Sequence, residues 1–85
     1  MKYLQFSAAW CGPCQSLSPI MEQVKAKGIP VEKIDVDSNP DMSTRFGIRS
    51  VPTVILFEGK KEVFRATGAK TKNFYDKVIT ESFNL

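Results

Sequence analysis

The only two cysteines of the chain, Cys11 and Cys14, are separated by two residues where an alternating segment gives way to a helical one, and that junction limits the folds open to the rest. Lys2 to Ser7 alternates as a half-buried strand does. From Pro13 onward Leu17, Ile20, Met21 and Val24 recur at helical spacing, until Lys25, Lys27 and Gly28 mark a C-terminus. Thiols so placed can close a small ring without unfolding anything, which makes a reversible two-electron switch. If the helix starts near Cys11, that sulfur lies beside unpaired backbone N–H groups and the positive end of the helix dipole, and both favour the thiolate. Cys11 is therefore expected to be the exposed nucleophile. Cys14 lies one turn further in, where burial opposes ionisation, so it is expected to act second by attacking the mixed disulfide.

The remaining chain supplies the rest of an α/β layer structure. Pro19 interrupts the first helix and removes one of its hydrogen bonds, which predicts a kink. Val31 to Val36 reads as a second strand, parallel to the first because a helix separates them. Asn39 as cap, Pro40 in the first turn and Asp41 beside the dipole predict a short helix running to about Phe46 and stopping at Gly47. Thr53 to Phe57 is nearly all apolar, as suits a central strand. A tight turn over Glu58–Lys61 leads to an antiparallel edge strand, Glu62 to Ala66, whose charges discourage further pairing. Gly68 breaks that strand, and Thr71 caps a last helix with Phe74, Tyr75, Val78, Ile79 and Phe83 on one side. The expected order is βαβαββα, a four-stranded mixed sheet flanked by helices in a single domain over residues 1–85.

Composition narrows the function. With 42% hydrophobic and 25% charged residues the 85-residue chain is of ordinary globular type, and the absence of a long apolar run argues against a membrane role. The net charge of +3 comes from scattered residues, with only Lys60–Lys61 and Lys70–Lys72 close together, so no nucleic-acid footprint is expected. Two cysteines and no histidine supply half of a tetrahedral zinc site, so no metal or other cofactor is expected. The N-terminal residues lead directly into the cysteine motif, which argues against a cleaved signal, and a lone cycling pair suits the cytoplasm better than an oxidising compartment. A monomer is expected.

Taken in order, Trp10-Cys11-Gly12-Pro13-Cys14, Pro19, Ile34-Asp35-Val36-Asp37 with Asn39-Pro40, Phe46-Gly47-Ile48-Arg49-Ser50-Val51-Pro52-Thr53 and Gly68-Ala69 resemble the thioredoxin family over nearly the whole chain. The resemblance is to a short form of that family, starting at the strand before the motif, without the strand and helix that usually precede it. It implies a protein-disulfide reductase using Cys11 and Cys14, with Gly12-Pro13 as in its reducing members. It also implies a cis bond before Pro52, and a shallow docking surface made by Trp10, Gly12, Val51, Pro52, Gly68 and Ala69. Thioredoxin reductase is the implied electron donor, and disulfide-forming enzymes such as ribonucleotide reductase are implied targets. Glutaredoxin-like reduction of glutathione mixed disulfides is the alternative.

Two departures from the family pattern stand out. Without a further helix, one sheet face is expected to be covered only by the short helix at 39–46, leaving it less stable or open to a partner. Most thioredoxins also carry a buried aspartate at position 5, held to exchange a proton with the second cysteine, whereas Gln5 cannot titrate. That proton is then expected to travel by water or a substrate group. Lys33 matches the lysine that neighbours this aspartate, and Asp35, on the same strand face, is a possible replacement partner for it.

Overall fold

The computed structural model describes residues 1–83, with side chains through residue 81. Lys2–Ser7 forms β1, Gly12–Ala26 α1, Val31–Asp35 β2, Pro40–Arg45 α2, Thr53–Glu58 β3, Lys61–Thr67 β4 and Lys72–Phe83 α3. The sheet order is β2-β1-β3-β4, with β1 parallel to β2 and antiparallel to β3, and β3 antiparallel to β4. The apolar β3 thus lies inside the sheet, next to β1, and the charged β4 forms an edge as its composition predicts.

Alternation along β1 separates two apolar layers. Tyr3 joins Leu17, Met21 and Val24 of α1, Val54 and Leu56 of β3, and Tyr75 and Ile79 of α3. The Tyr3 hydroxyl donates to the Tyr75 carbonyl at 3.0 Å, and burial pushes the Tyr3 phenol well above its ordinary range. Leu4 and Phe6 face the other way, with Ile34 and Ile55. This second face differs from the expectation of a face covered by a short helix alone. Met42 of α2, Phe46, and then Ile48 and Val51 of the following loop all pack on it, and Phe46 rests against Phe6 and Phe57 at centroid separations of 5.8 and 5.6 Å. The loop does the work of a longer helix, so Leu4, Phe6, Ile34 and Ile55 are buried.

The helix starts follow the sequence with one difference of chemistry. Thr71 Oγ1 accepts the Phe74 N–H at 3.2 Å and so caps α3. Asn39 occupies the N-cap position of α2 but makes no side-chain cap; its amide instead donates to the Asp35 carbonyl at 3.0 Å, tying α2 to the end of β2. Pro19 lies inside α1, which continues through it. The side chain of Phe83 lies outside the described residues.

Candidate active site

β1 ends at Ser7, and the chain turns through Ala8 to Trp10 before α1 begins. The Cys11 N–H closes this turn on the Ala8 carbonyl at 3.1 Å. Cys11 is the N-cap of α1 in an extended conformation, with Pro13 in the first turn, where its missing N–H leaves no bond unmade. The Cys11 sulfur accepts the Cys14 backbone N–H at 3.2 Å, the bond an oxygen makes at an ordinary cap. Cys11 and Cys14 are disulfide-bonded, with Cα atoms 5.3 Å apart. Cys14 is 1% exposed and Cys11 only 5%, so in this oxidised form Cys11 is less open than its place at the helix start predicts. Ala8, Val36 and Val51 cover the pair.

The Val51–Pro52 bond is cis. The Val51 carbonyl oxygen stands 3.7 Å from Cys11 Sγ, a contact that becomes a hydrogen bond only when the sulfur carries a proton. Pro52 itself is buried beneath this contact, and its carbonyl accepts the Gly68 N–H at 2.8 Å. Gly68 takes φ +88°, a conformation that a side chain there would strain. Gly12 and Ala69 are exposed, and Val51 and Gly68 partly so.

Trp10 is 70% exposed yet oriented, because its indole N–H donates to Asp37 Oδ2 at 2.9 Å. Asp37 is in turn held by its own N–H to Asp35 Oδ1 at 2.9 Å. This partnership spans 27 positions and has no local signal in the sequence. Trp10 also walls a groove of about 140 Å³ with Val36, Ser43, Ile48, Arg49, Ser50 and Val51. Of these, the sequence assigns only Trp10 and Val51 to the expected docking surface.

On the other side of the motif lies a cavity of about 440 Å³ lined by Ser7, Ala8, Ala9, Gln15, Lys33 and Asp35. Lys33 does not pair with Asp35. Its ammonium donates to Ser18 Oγ at 3.0 Å, and the Ser18 hydroxyl donates to the Cys14 carbonyl at 3.2 Å. Ser18 escaped the sequence reading, although its place one turn after Cys14 is the spacing that brings a hydroxyl back to that carbonyl. Gln5 is 2% exposed, and its Nε2 has no hydrogen-bond partner.

The comparisons agree with this geometry. The family profile described as thioredoxin matches residues 2–81. A thioredoxin of Chlamydia muridarum is 40% identical over 80 residues, covering 92% of this chain and 78% of the relative. A bifunctional thioredoxin reductase/thioredoxin of Mycobacterium leprae is 43% identical over 72 residues, 81% of this chain but 16% of that longer protein. A mutant thioredoxin from Halobacterium salinarum superposes with a TM-score of 0.90 at 34% identity, covering 94% of this chain and 72% of the other.

Proposed function

The chain belongs to the thioredoxin family, and from that premise we propose how its parts divide the work of a thiol-disulfide oxidoreductase that reduces protein disulfides. Cys11, as thiolate, attacks one sulfur of a target disulfide; the new sulfur–sulfur bond forms as the target's other sulfur leaves with the electron pair. Cys14 then attacks Cys11 Sγ, the Cys11–target bond breaks, and the target departs with two added electrons while this protein is left as the disulfide. The cap geometry supports these roles, since the Cys14 N–H already points at Cys11 Sγ from 3.2 Å and the helix dipole favours negative charge there. Trp10, Gly12, Val51, Gly68 and Ala69 form the surface that receives the target, with exposed Pro13 beside Gly12 and buried Pro52 shaping it from within.

The relatives are named thioredoxins, which favours protein disulfides over glutathione mixed disulfides. A thioredoxin reductase is the proposed electron donor, supported by the Mycobacterium leprae relative in which the two names share one chain. Among the described residues no helix is long and apolar enough to cross a membrane. We place the cycle in the cytoplasm, where a dithiol can be recharged.

The observation that carries this reading is the Cys11–Cys14 pair across the start of α1. Insulin reduction driven by dithiothreitol tests it. The native chain is expected to bring insulin to turbidity well ahead of the thiol alone, and Cys11→Ser to give no acceleration. A native chain no faster than the thiol alone overturns it.

A further inference from the structure

Among the described residues, Gln5 Nε2 is the single buried side-chain nitrogen or oxygen without a hydrogen-bond partner. Such a donor destabilises the fold, and a methionine or leucine of similar size would avoid the cost. Its place is what gives the orphan meaning. Gln5 lies on the β1 face that α1 covers, two residues on from Tyr3, which packs against Leu17, Met21 and Val24. Across the sheet its register partner is Lys33, and Lys33 reaches Ser18, whose hydroxyl returns to the Cys14 carbonyl. The register thus puts Gln5 on the β1 face that leads, through Lys33 and Ser18, to the turn of α1 starting with Cys14, itself 1% exposed.

We propose that the side-chain amide of Gln5 is a donor kept for the Cys14 thiolate, unpaired in the disulfide and satisfied when the pair is reduced. This deepens the dithiol reading above and rests on it. In the disulfide the Cys14 sulfur is neutral and a weak acceptor, so the amide gains little from it. Reduction and ionisation place a full negative charge on a sulfur that is as buried as the amide, where a charge-assisted hydrogen bond is strongest. The amide holds the charge but cannot take the proton. When Cys14 attacks, its sulfur bonds to Cys11 Sγ, the Cys11–target bond breaks with its electron pair going to the target sulfur, and the proton shed by Cys14 passes through water to that departing thiolate. The titratable groups facing this turn are Cys11 in the cap of α1, and Lys33 and Asp35 from β2. Ser7, Gln15 and Ser18 add neutral polar groups on the cavity side, and Ala8, Val36 and Val51 cover the cysteine pair with apolar surface.

Gln5→Met separates this role from packing because the two predict opposite signs. Losing the orphan raises the melting temperature of the oxidised protein, whereas losing the donor shifts the Cys14 titration upward. The Cys14 titration is read by alkylation against pH in a Cys11→Ser background. A shift of roughly one unit slows release of mixed disulfides roughly tenfold at neutral pH. Proton NMR of the native chain gives a reading that needs no variant. The Gln5 side-chain amide protons are expected to move downfield on reduction, following the Cys14 titration. Amide protons that ignore the redox state, or a Cys14 titration identical in native and Gln5→Met proteins, overturn the proposal. If insulin reduction is intact in that case, the dithiol reading stands and the Gln5 role alone falls.

Discussion

At the candidate site, single hydrogen bonds help to fix where side chains point. Cys11 is held by the Cys14 N–H, Trp10 by Asp37 and Lys33 by Ser18. The Trp10–Asp37 bond is the informative case, because an indole this exposed would otherwise sample several rotamers and lose entropy on meeting a target. Asp37→Ala leaves the ring in place but frees it to turn. Losing about 1 kcal/mol of preorganisation corresponds to a roughly fivefold rise in the KM for a protein disulfide. Steady-state insulin reduction with a coupled reductase measures it, with kcat expected to stay near the native value. An unchanged KM would show that the indole needs no tether.

At the scale of elements, α1 and α3 share one sheet face, and their exposed ends are joined by Asp76, which accepts from Lys27 at 2.8 Å and Lys72 at 2.9 Å. The hydrogen bond from Lys27, followed by that from Lys72, holds the Asp76 carboxyl below the usual carboxylate range. Because the folded value is the lower one, the stability this pairing contributes is complete at neutral pH. It is lost as acidification passes the ordinary carboxylate range and reaches the depressed folded value. Asp76→Asn is expected to lower the melting temperature by no more than a few degrees at pH 7 and to flatten its acid limb, both effects shrinking in high salt. Thermal melts across pH check this. These elements were legible because caps and periodicity are local signals: Thr71 announces α3, Asn39-Pro40 announces α2, and apolar Thr53–Phe57 announces an inner strand. Contacts between distant segments were not legible. Nothing near Phe46 signals that it will bridge Phe6 and Phe57, nor does the Ile48–Val51 loop announce that it closes a sheet face and walls a groove with Trp10. The same holds for Gln5, whose substitution was visible in sequence while its unpaired nitrogen was not.

For the whole molecule, folding and redox chemistry are linked through one thermodynamic cycle. Cys11 and Cys14 are three positions apart, so their disulfide closes a four-residue ring that restricts the unfolded chain modestly. Loop-closure entropy for so small a ring gives about 2 kcal/mol of extra stability to the oxidised protein. By the cycle, folding must favour the disulfide over the dithiol by the same amount, which at two electrons is about 40 mV. The folded protein is therefore a stronger reductant than its own unfolded chain, in the direction a donor of electrons to target disulfides requires. A Gln5 donor acts in the opposite sense by stabilising the reduced thiolate, so the gap should narrow as pH rises through the Cys14 titration. Guanidinium unfolding of the oxidised and reduced forms measures one side of the cycle, and glutathione equilibration of native and denatured protein measures the other. The oxidised midpoint is expected to be the higher, with the two free-energy gaps equal. Coincident midpoints would mean that the fold leaves the couple where the bare tetrapeptide puts it, and the reducing bias would then have to come from the Gly12-Pro13 spacer alone.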